Sequence, residues 1–271
     1  MKQIHLLGIP FDGKSSYAGG PRLAPARIRE EMQSSAYNVY SENMRPVLDD
    51  ASLHICDDLV LTDYEDILAA LKKSVSAEHP FLFLGGDHSI TYPIVETLNA
   101  LHGPFHILHF DAHCDLYDEF EGDRFSHACP FARIMENDLA SSLTQVGIRT
   151  MTPHQLEQSE KYGVEVYEMK DIAHFDPRSL DGPIYISFDL DVIDPAFAPG
   201  ISHREPGGLG LRTIIDWLQE LDAPVIGADI VEYNPLRDVD GITAGVCYKL
   251  VKEMLDVLSR APEALLREKS L

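Results

Sequence analysis

The fold is indicated most clearly by the stretch Phe105-His106-Ile107-Leu108-His109-Phe110, which is followed at once by Asp111-Ala112-His113-Cys114-Asp115. The first six residues are mostly apolar on successive positions, as expected for a strand that is buried on both faces of a parallel sheet. Asp111, His113 and Asp115 alternate along the next segment, so an extended backbone would point their side chains to one side. The stretch therefore predicts a buried strand with a polar cluster at its carboxyl end.

The same alternation of short apolar runs and helical patterns continues along the chain. Strands are predicted at Gln3–Leu7, Phe81–Leu84, Phe105–Phe110, Leu143–Gly147, Val164–Tyr167, Ile184–Phe188 and Val225–Ile230. Helices are predicted after the capping-box sequence Thr62-Asp63-Tyr64-Glu65, over Arg212–Leu221 and near Gly245–Ser259. Short connections between the two kinds of element predict an α/β fold with a mainly parallel central sheet, in one domain over residues 1–271.

Composition and charge limit the classes of partner. The 271 residues include 22 Lys plus Arg and 44 Asp plus Glu, which gives a net charge of −22, and 45% of the residues are hydrophobic. A surface with this much negative charge repels nucleic-acid phosphate and anionic lipid. Neither nucleic acid nor a membrane is therefore expected as a partner. Cationic small molecules and divalent metal ions fit this charge better.

Cysteine usage points to a reducing compartment. The four cysteines, Cys56, Cys114, Cys129 and Cys247, are scattered and form no C-x-x-C pair. This argues against a disulfide framework and against a thiolate zinc site, and it predicts a cytoplasmic protein.

Four of the predicted strands run directly into clusters of polar residues. The clusters are Gly85–Ser89, Asp111–Asp115, Asp189–Pro195 and Asp229–Pro235. In open parallel sheets the ligand crevice lies beyond the carboxyl ends of the strands. We therefore expect the four clusters to converge on one edge of the sheet, although they are far apart in the sequence.

These clusters contain a candidate set of metal ligands: His88, Asp111, His113, Asp115, Asp189 and Asp191. Four buried carboxylates would repel one another and take up protons, whereas two divalent ions would neutralise them. Ligands that are mostly oxygen with a minority of imidazole suit Mn²⁺, and a pair of such ions can activate water near neutral pH. Singly, each motif has a plainer explanation, such as a turn at Gly85-Gly86-Asp87 with Ser89 capping the next helix. The occurrence of all six ligand-type residues directly after three predicted strands favours the metal site.

Two further residues are candidates for chemistry. His127 could transfer protons or protonate a leaving amine as an unligated imidazole beside the metals, or it could be an ordinary loop histidine. Glu232 could bind a planar cation through paired hydrogen bonds, or it could be a salt-bridged surface residue. His106 and His109 lie inside a predicted strand and are expected to have local partners.

The polar clusters resemble the motifs of the ureohydrolase family, which includes arginases and agmatinases. The resemblance is carried by Gly-Gly-Asp-His-Ser, Asp-Ala-His-x-Asp, Ser-Phe-Asp-Leu-Asp-Val-Ile-Asp-Pro and Asp-Ile-Val-Glu-Tyr-Asn-Pro, and it extends from Gly19-Gly20-Pro21 to Gly241-Ile242-Thr243-Ala244. It implies a three-layer α/β/α sandwich that holds two Mn²⁺ ions. One ion would be bound by His88, Asp111, Asp115 and Asp189, and the other by Asp111, His113, Asp189 and Asp191.

The resemblance also implies roles for residues around the metals. Glu232 would hold the guanidinium group of a small cationic substrate, His127 would transfer protons, and Asp115 would hydrogen-bond the nucleophile. The family often forms homo-oligomers, so a trimer or hexamer is expected.

The substrate expected from the sequence is agmatine, cleaved to urea and putrescine. The segment from Asp115 to His127 looks most like that of agmatinases, and Leu116–Arg124 contains four acidic residues against one arginine, Arg124. Departures from the agmatinase pattern at Cys114, Ala128 and Ile201–Arg204 keep arginase, guanidinobutyrase and formimidoylglutamase activities open, because Arg204 could meet a carboxylate. The roles of Arg124 and Arg204 stay open.

Two other classes are disfavoured. A two-metal phosphoesterase would need Lys or Arg around its metals, and the metal motifs contain none. A catalytically silent binding relative would lack a metal ligand, and none is missing.

Overall fold

An eight-stranded sheet forms the centre of the computed structural model, which describes residues 3–49 and 51–262. The strands are β1 Ile4–Gly8, β2 Leu53–Ile55, β3 Phe81–Leu84, β4 Phe105–Phe110, β5 Ala140–Ile148, β6 Glu165–Glu168, β7 Ile184–Asp189 and β8 Val225–Val231. Their order is β2-β1-β3-β8-β7-β4-β5-β6, and all neighbouring strands are parallel. The predicted domain over residues 1–271 includes residues 1–2, 50 and 263–271, which lie outside the described residues.

Helices cover both faces of this sheet. They are α1 Ala24–Met32, α2 Glu65–Ser74, α3 Thr91–His102, α4 Pro130–Glu136, α5 Pro153–Tyr162, α6 Leu211–Glu220 and α7 Ile242–Leu258. Buried residues of α1, α6 and α7 belong to one hydrophobic cluster, and those of α2, α3 and α4 belong to another. The predicted α/β/α sandwich around a parallel sheet is therefore confirmed.

Burial on both faces explains the continuous apolar runs. In β3 all four residues are buried; Leu82 and Leu84 pack into the first cluster, whereas Phe81 and Phe83 pack into the second. Side chains alternate between the two faces of a strand, so a central strand needs an apolar residue at every position.

Two local expectations were wrong or incomplete. Strand β2 was not predicted, because it is three residues long and only Leu53 is buried, as befits an edge strand. The predicted capping box at Thr62–Glu65 does not form. Instead, helix α2 begins at Glu65 without a side-chain cap, and the Asp66 carboxylate accepts hydrogen bonds from the backbone N–H groups of Thr62 and Asp63.

The sheet order brings the polar clusters together. Strands β3, β8, β7 and β4 are consecutive neighbours, and these are the four strands that end in polar clusters. Because they are parallel, all four clusters lie at the same edge of the sheet. Within the described ranges, no helix is both long and apolar enough to cross a bilayer.

Gly86, just after β3, provides a test of this packing. A Cβ atom there would overlap the carbonyl of Phe11, whose oxygen accepts the N–H of Asp87 at 2.9 Å. We expect Gly86→Ala to lower the free energy of unfolding by about 1–3 kcal/mol, because the loop after β1 must move. Gly210→Ala is the control, since Gly210 has open space around it and a φ of −80°. Urea denaturation checks this, and equal stability of the two variants would contradict it.

Candidate metal centre

A cavity of about 210 Å³ opens at the carboxyl edge of the sheet. Its lining includes Asp115, Asp189, Asp191, His113, His127 and Glu232. The cavity is small, and these residues give it several polar side chains. Such a cavity suits a small ligand that is held by a few hydrogen-bonding or charged groups.

His88 lies at the centre of the carboxylates. Its Nδ1 atom is 3.2 Å from Asp111, 3.1 Å from Asp115 and 3.1 Å from Asp189. This nitrogen is buried and makes no hydrogen bond of acceptable geometry. It is a ligand atom that faces three carboxylates, which is the environment of a cation.

The tautomer of His88 supports the same interpretation. The Ser187 hydroxyl donates to Asp229 at 2.9 Å and lies 3.0 Å from His88 Nε2. Since the Ser187 hydroxyl donates its hydrogen to Asp229, its oxygen accepts a hydrogen bond from the Nε2–H group of His88. In the neutral form of His88 the lone pair is therefore on Nδ1 and points at the carboxylates, as metal ligation requires.

His113 forms the second half of the cluster. Its Nδ1 atom lies 2.9 Å from Asp191 and 3.3 Å from Asp111. Asp111 is thus close to both imidazoles, and ligand atoms of Asp111, His113 and Asp191 all lie within 4.8 Å of one another. Asp111 therefore lies between the two imidazoles, in the position that a shared ligand of two cations would occupy.

Crowding raises the pKa of two of the acids, whereas the hydrogen bonds of His109, His113 and His88 outweigh burial and lower the pKa of Asp111. Burial, together with the charges of Asp191 and Asp111, raises the pKa of Asp189 well above its usual range. Burial and then the charge of Asp111 raise the pKa of Asp191 to about 6. Divalent cations would remove this penalty, so the residues present fit a two-metal centre.

His109 contacts Asp111 and holds it in place. Its Nε2 atom lies 2.9 Å from Asp111, and Gln145 donates its Nε2–H to His109 Nδ1 at 3.0 Å. Although His88, His109 and Asp111 are close enough to share an ion, both nitrogens of His109 already have partners. His109 therefore orients Asp111, and the expectation of local partners for His109 is confirmed, as it is for His106, which contacts Ser142 and Thr144.

His127 is paired with Glu232 at the side of the cavity. The imidazole Nδ1 lies 3.1 Å from Glu232 Oε1, which also accepts the backbone N–H of His88 at 2.9 Å. Burial opposes the charged imidazole, but the hydrogen bond and charge of Glu232 prevail and raise the pKa of His127 to about 9. The pairing with Glu232 therefore favours the charged form of His127.

Some contacts of the site have no signal in the sequence. Ser16, in the loop after β1, lies 2.9 Å from His127 Nε2. His203 stacks on His127 with ring centroids 5.5 Å apart. Gln155 reaches the cavity from helix α5. All three belong to ordinary loop or helix segments, and only the tertiary fold brings them to the metal cluster.

The acidic residues of the segment that favoured agmatine do not line the cavity, although Tyr117 and Phe120 of the same segment do. Asp118 pairs with Arg133 at 2.8 Å, Asp123 pairs with Lys14 at 2.7 Å, and Glu119 and Glu121 are exposed. These four acids are absent from the described lining, so they do not supply the expected site for a distal cation.

The two arginines that were left open are also engaged elsewhere. Arg204 donates to the backbone carbonyls of Pro199 and Arg237, and Arg124 pairs with Glu136 at 2.7 Å. Neither one lines the cavity in the part of the chain that the structure describes.

A parallel sheet whose carboxyl edge carries a buried His/Asp cluster beside an open cavity defines a two-metal hydrolase. The arginase family model matches residues 2–256, and the chain belongs to that family. It is a metal-dependent ureohydrolase with a binuclear His/Asp site.

Individual relatives refine the comparison. The chain is 43% identical to arginase 1, mitochondrial, of Arabidopsis thaliana, over 94% of this chain and 81% of that protein. It superposes on the solved arginase of Medicago truncatula with a TM-score of 0.89 at 40% identity, over 95% of this chain and 87% of that one. For the agmatine ureohydrolase of Thermoplasma volcanium the TM-score is 0.82 at 28% identity, over 95% and 90%. The expected likeness to agmatinases above all is therefore not supported, since the identity to these arginases is higher.

The pairing of His127 with Glu232 generates a pH prediction. Glu232→Gln should lower the pKa of His127 from about 9 toward or below the ordinary value of 6.5, because burial then acts without the opposing charge. In the unaltered protein, the raised pKa means that stability from this pair is fully present below pH 6.5 and is lost as the pH rises through about 9. NMR titration of labelled histidine measures both pKa values.

Glu119→Gln is the matched control, since Glu119 is exposed on the neighbouring loop. A His127 pKa that stays the same in Glu232→Gln would show that Glu232 does not hold the imidazole charged.

Proposed function

We propose that this protein is a dimanganese arginase, which hydrolyses L-arginine to urea and L-ornithine. The proposal takes the arginase alternative in place of agmatine, which the sequence motifs favoured. One observation carries it: the chain is 43% identical over 94% of its length to a protein named as an arginase. The position of the acidic residues Asp118 and Asp123, paired with Arg133 and Lys14 outside the cavity, supports it.

The metal ligands in this proposal are the six residues gathered at the edge of the sheet. His88, Asp111, Asp115 and Asp189 would hold one Mn²⁺, and Asp111, His113, Asp189 and Asp191 would hold the other. The contacts of His88 and His113 support this division, because each imidazole faces its own subset of carboxylates. Oxygen-rich ligation favours Mn²⁺ over Zn²⁺.

When bound, the two ions supply a nucleophile from water at neutral pH. The protein then has to place the guanidinium carbon of the substrate above this centre. Glu232 orients the planar cation by accepting hydrogen bonds from the N–H groups of the cation. The Oε2 atom of Glu232 is available for this, because no described residue hydrogen-bonds it. Asp115, which lines the cavity, would accept a hydrogen bond from the attacking water and orient it.

His127 completes the reaction by transferring a proton. Glu232 favours its protonated form, and the imidazole faces the cavity in which the leaving amine of the substrate would lie. Protonation of that amine allows the carbon–nitrogen bond to break and urea to leave.

A phosphoesterase and a silent binding relative both fit the cavity less well. The described lining of the cavity contains neither lysine nor arginine to bind a phosphate, which disfavours a phosphoesterase. The six ligand-type residues are all present and close together, which disfavours a silent relative.

Organisation and location are part of the same proposal. We infer one domain over residues 1–271 and assembly into a homo-oligomer, a trimer or hexamer. The cytoplasmic location expected from the cysteines lacks support, because the Arabidopsis relative is named as mitochondrial.

The proposed substrate predicts a clear order of activities. Enzyme loaded with Mn²⁺ should release urea from L-arginine with a kcat/KM at least about ten times that for agmatine, and a chelator should abolish the release. A colorimetric urea assay with both compounds and 4-guanidinobutyrate measures this. A higher kcat/KM for agmatine would refute arginase activity, and no urea from any of the three would refute the ureohydrolase mechanism.

The metal assignment predicts a loss of bound metal on substitution. Asp111→Asn should reduce bound manganese from two ions per chain to about one or fewer and lower kcat by about 100-fold or more, since it removes a shared negative charge. Asp171→Asn, at an exposed position, is the control and should keep both ions. Elemental analysis after gel filtration counts the metal, and two tightly bound ions in Asp111→Asn would contradict the bridging role.

A further inference from the structure

The loop after β1 brings a serine to the second ring nitrogen of His127. We propose that Ser16 is a further catalytic residue, whose hydroxyl relays the proton from His127 to the leaving amine of the substrate. The inference rests on the proposed function, because it needs a substrate from which an amine leaves. It deepens that function by naming the group that delivers the proton.

Both ring nitrogens of His127 have partners in the protein. Nδ1 lies 3.1 Å from Glu232 Oε1, and Nε2 lies 2.9 Å from the Ser16 hydroxyl oxygen. A proton that left through Nδ1 would neutralise the Glu232 carboxylate, which has to stay charged to hold the guanidinium group. The proton for the leaving amine therefore leaves through Nε2, where the Ser16 hydroxyl is in position to receive it.

Ser16 fits His127 both before and after the proton has left. While Nε2 carries a proton, the Ser16 hydroxyl oxygen accepts a hydrogen bond from it. Once the proton has left, Nε2 becomes an acceptor, and the Ser16 backbone N–H is placed to donate to it at 3.3 Å. Neither state leaves Nε2 without a partner, so proton release does not strand a polar atom.

The loop that carries Ser16 is fixed before any substrate binds. The Lys14 carbonyl accepts the backbone N–H of His127 at 3.3 Å. The backbone N–H of Lys14 donates to Asp87 at 2.9 Å, and the Lys14 ammonium pairs with Asp123 at 2.7 Å. Ser16 itself belongs to the cavity lining, so a substrate in the cavity can reach its hydroxyl. The distance between the proton donor and the relay is thus set by the protein.

The proposed step moves two protons and breaks one carbon–nitrogen bond. The Nε2–H bond of His127 breaks as an O–H bond forms on Ser16, and the original hydroxyl proton of Ser16 passes to the lone pair of the leaving nitrogen. The carbon–nitrogen bond then breaks with its electron pair on that nitrogen, and the amine leaves. The carbon that remains releases its hydroxyl proton to water and becomes urea, and water returns a proton to His127.

The test removes the hydroxyl and keeps the backbone N–H. In Ser16→Ala we expect kcat for L-arginine to fall about 10- to 100-fold, because general-acid catalysis is lost, while KM stays within about three-fold. Ser16→Thr keeps a hydroxyl at this exposed position and should recover kcat to within about three-fold. The ratio of kcat in H₂O to kcat in D₂O should be larger in Ser16→Ala than in the unaltered enzyme, because proton transfer then limits turnover.

Ser15→Ala is the matched control. It removes the same atoms one residue earlier in the loop, where the hydroxyl donates to Asp87 at 3.3 Å and Ser15 is not part of the described cavity lining. We expect its kcat to stay within about three-fold of the unaltered value. Calorimetry of L-ornithine binding gives a readout without catalysis, and the affinity should be the same in Ser16→Ala, Ser15→Ala and the unaltered protein.

The outcomes separate the relay from the proposed function. Equal losses in Ser16→Ala and Ser16→Thr, an unchanged kcat in Ser16→Ala, or a loss that follows KM and L-ornithine affinity would overturn the relay while the unaltered enzyme still releases urea. An unaltered enzyme that releases no urea from L-arginine, agmatine or 4-guanidinobutyrate would refute the proposed function, and the relay with it.

Discussion

The main constraint on this structure is the electrostatic repulsion between four aspartates that the fold places close together. Asp111, Asp115, Asp189 and Asp191 approach two imidazoles at the edge of the sheet, and three of the four reach His88 Nδ1 within 3.2 Å. No lysine or arginine of the described chain is ion-paired with any of them. Burial disfavours the ionised form of such a group, so its charge has to be balanced by the imidazoles or by bound cations. Two divalent cations at this cluster would balance it.

The surrounding shell keeps this crowded group in place. Asp229 is fully buried and accepts hydrogen bonds from Tyr185, Thr91 and Ser187. Ser187 in turn fixes the tautomer of His88. On the other side, His109 and Gln145 fix Asp111. These side chains come from strands and helices of the core, so the rigid sheet sets the positions of the ligands.

The sequence predicted what depends on local pattern and on topology. The apolar runs located seven strands, and parallel order placed the ends of β3, β4, β7 and β8 together, so the gathering of His88, Asp111, His113, Asp115, Asp189 and Asp191 was expected. The short edge strand Leu53–Ile55 has too little burial to leave a pattern. The four acids of Leu116–Arg124 misled the choice of substrate, because composition does not reveal that Asp118 turns to Arg133 and Asp123 to Lys14. The place of Gln155 in the cavity lining could not be predicted either, since only the tertiary fold brings helix α5 to this edge of the sheet.

The most direct test of the account is anomalous X-ray scattering from crystals grown with Mn²⁺. The account predicts two manganese peaks in each chain, one beside His88 Nδ1 and one beside His113 Nδ1, with Asp111 touching both. A single peak, or manganese bound away from these imidazoles, would contradict it.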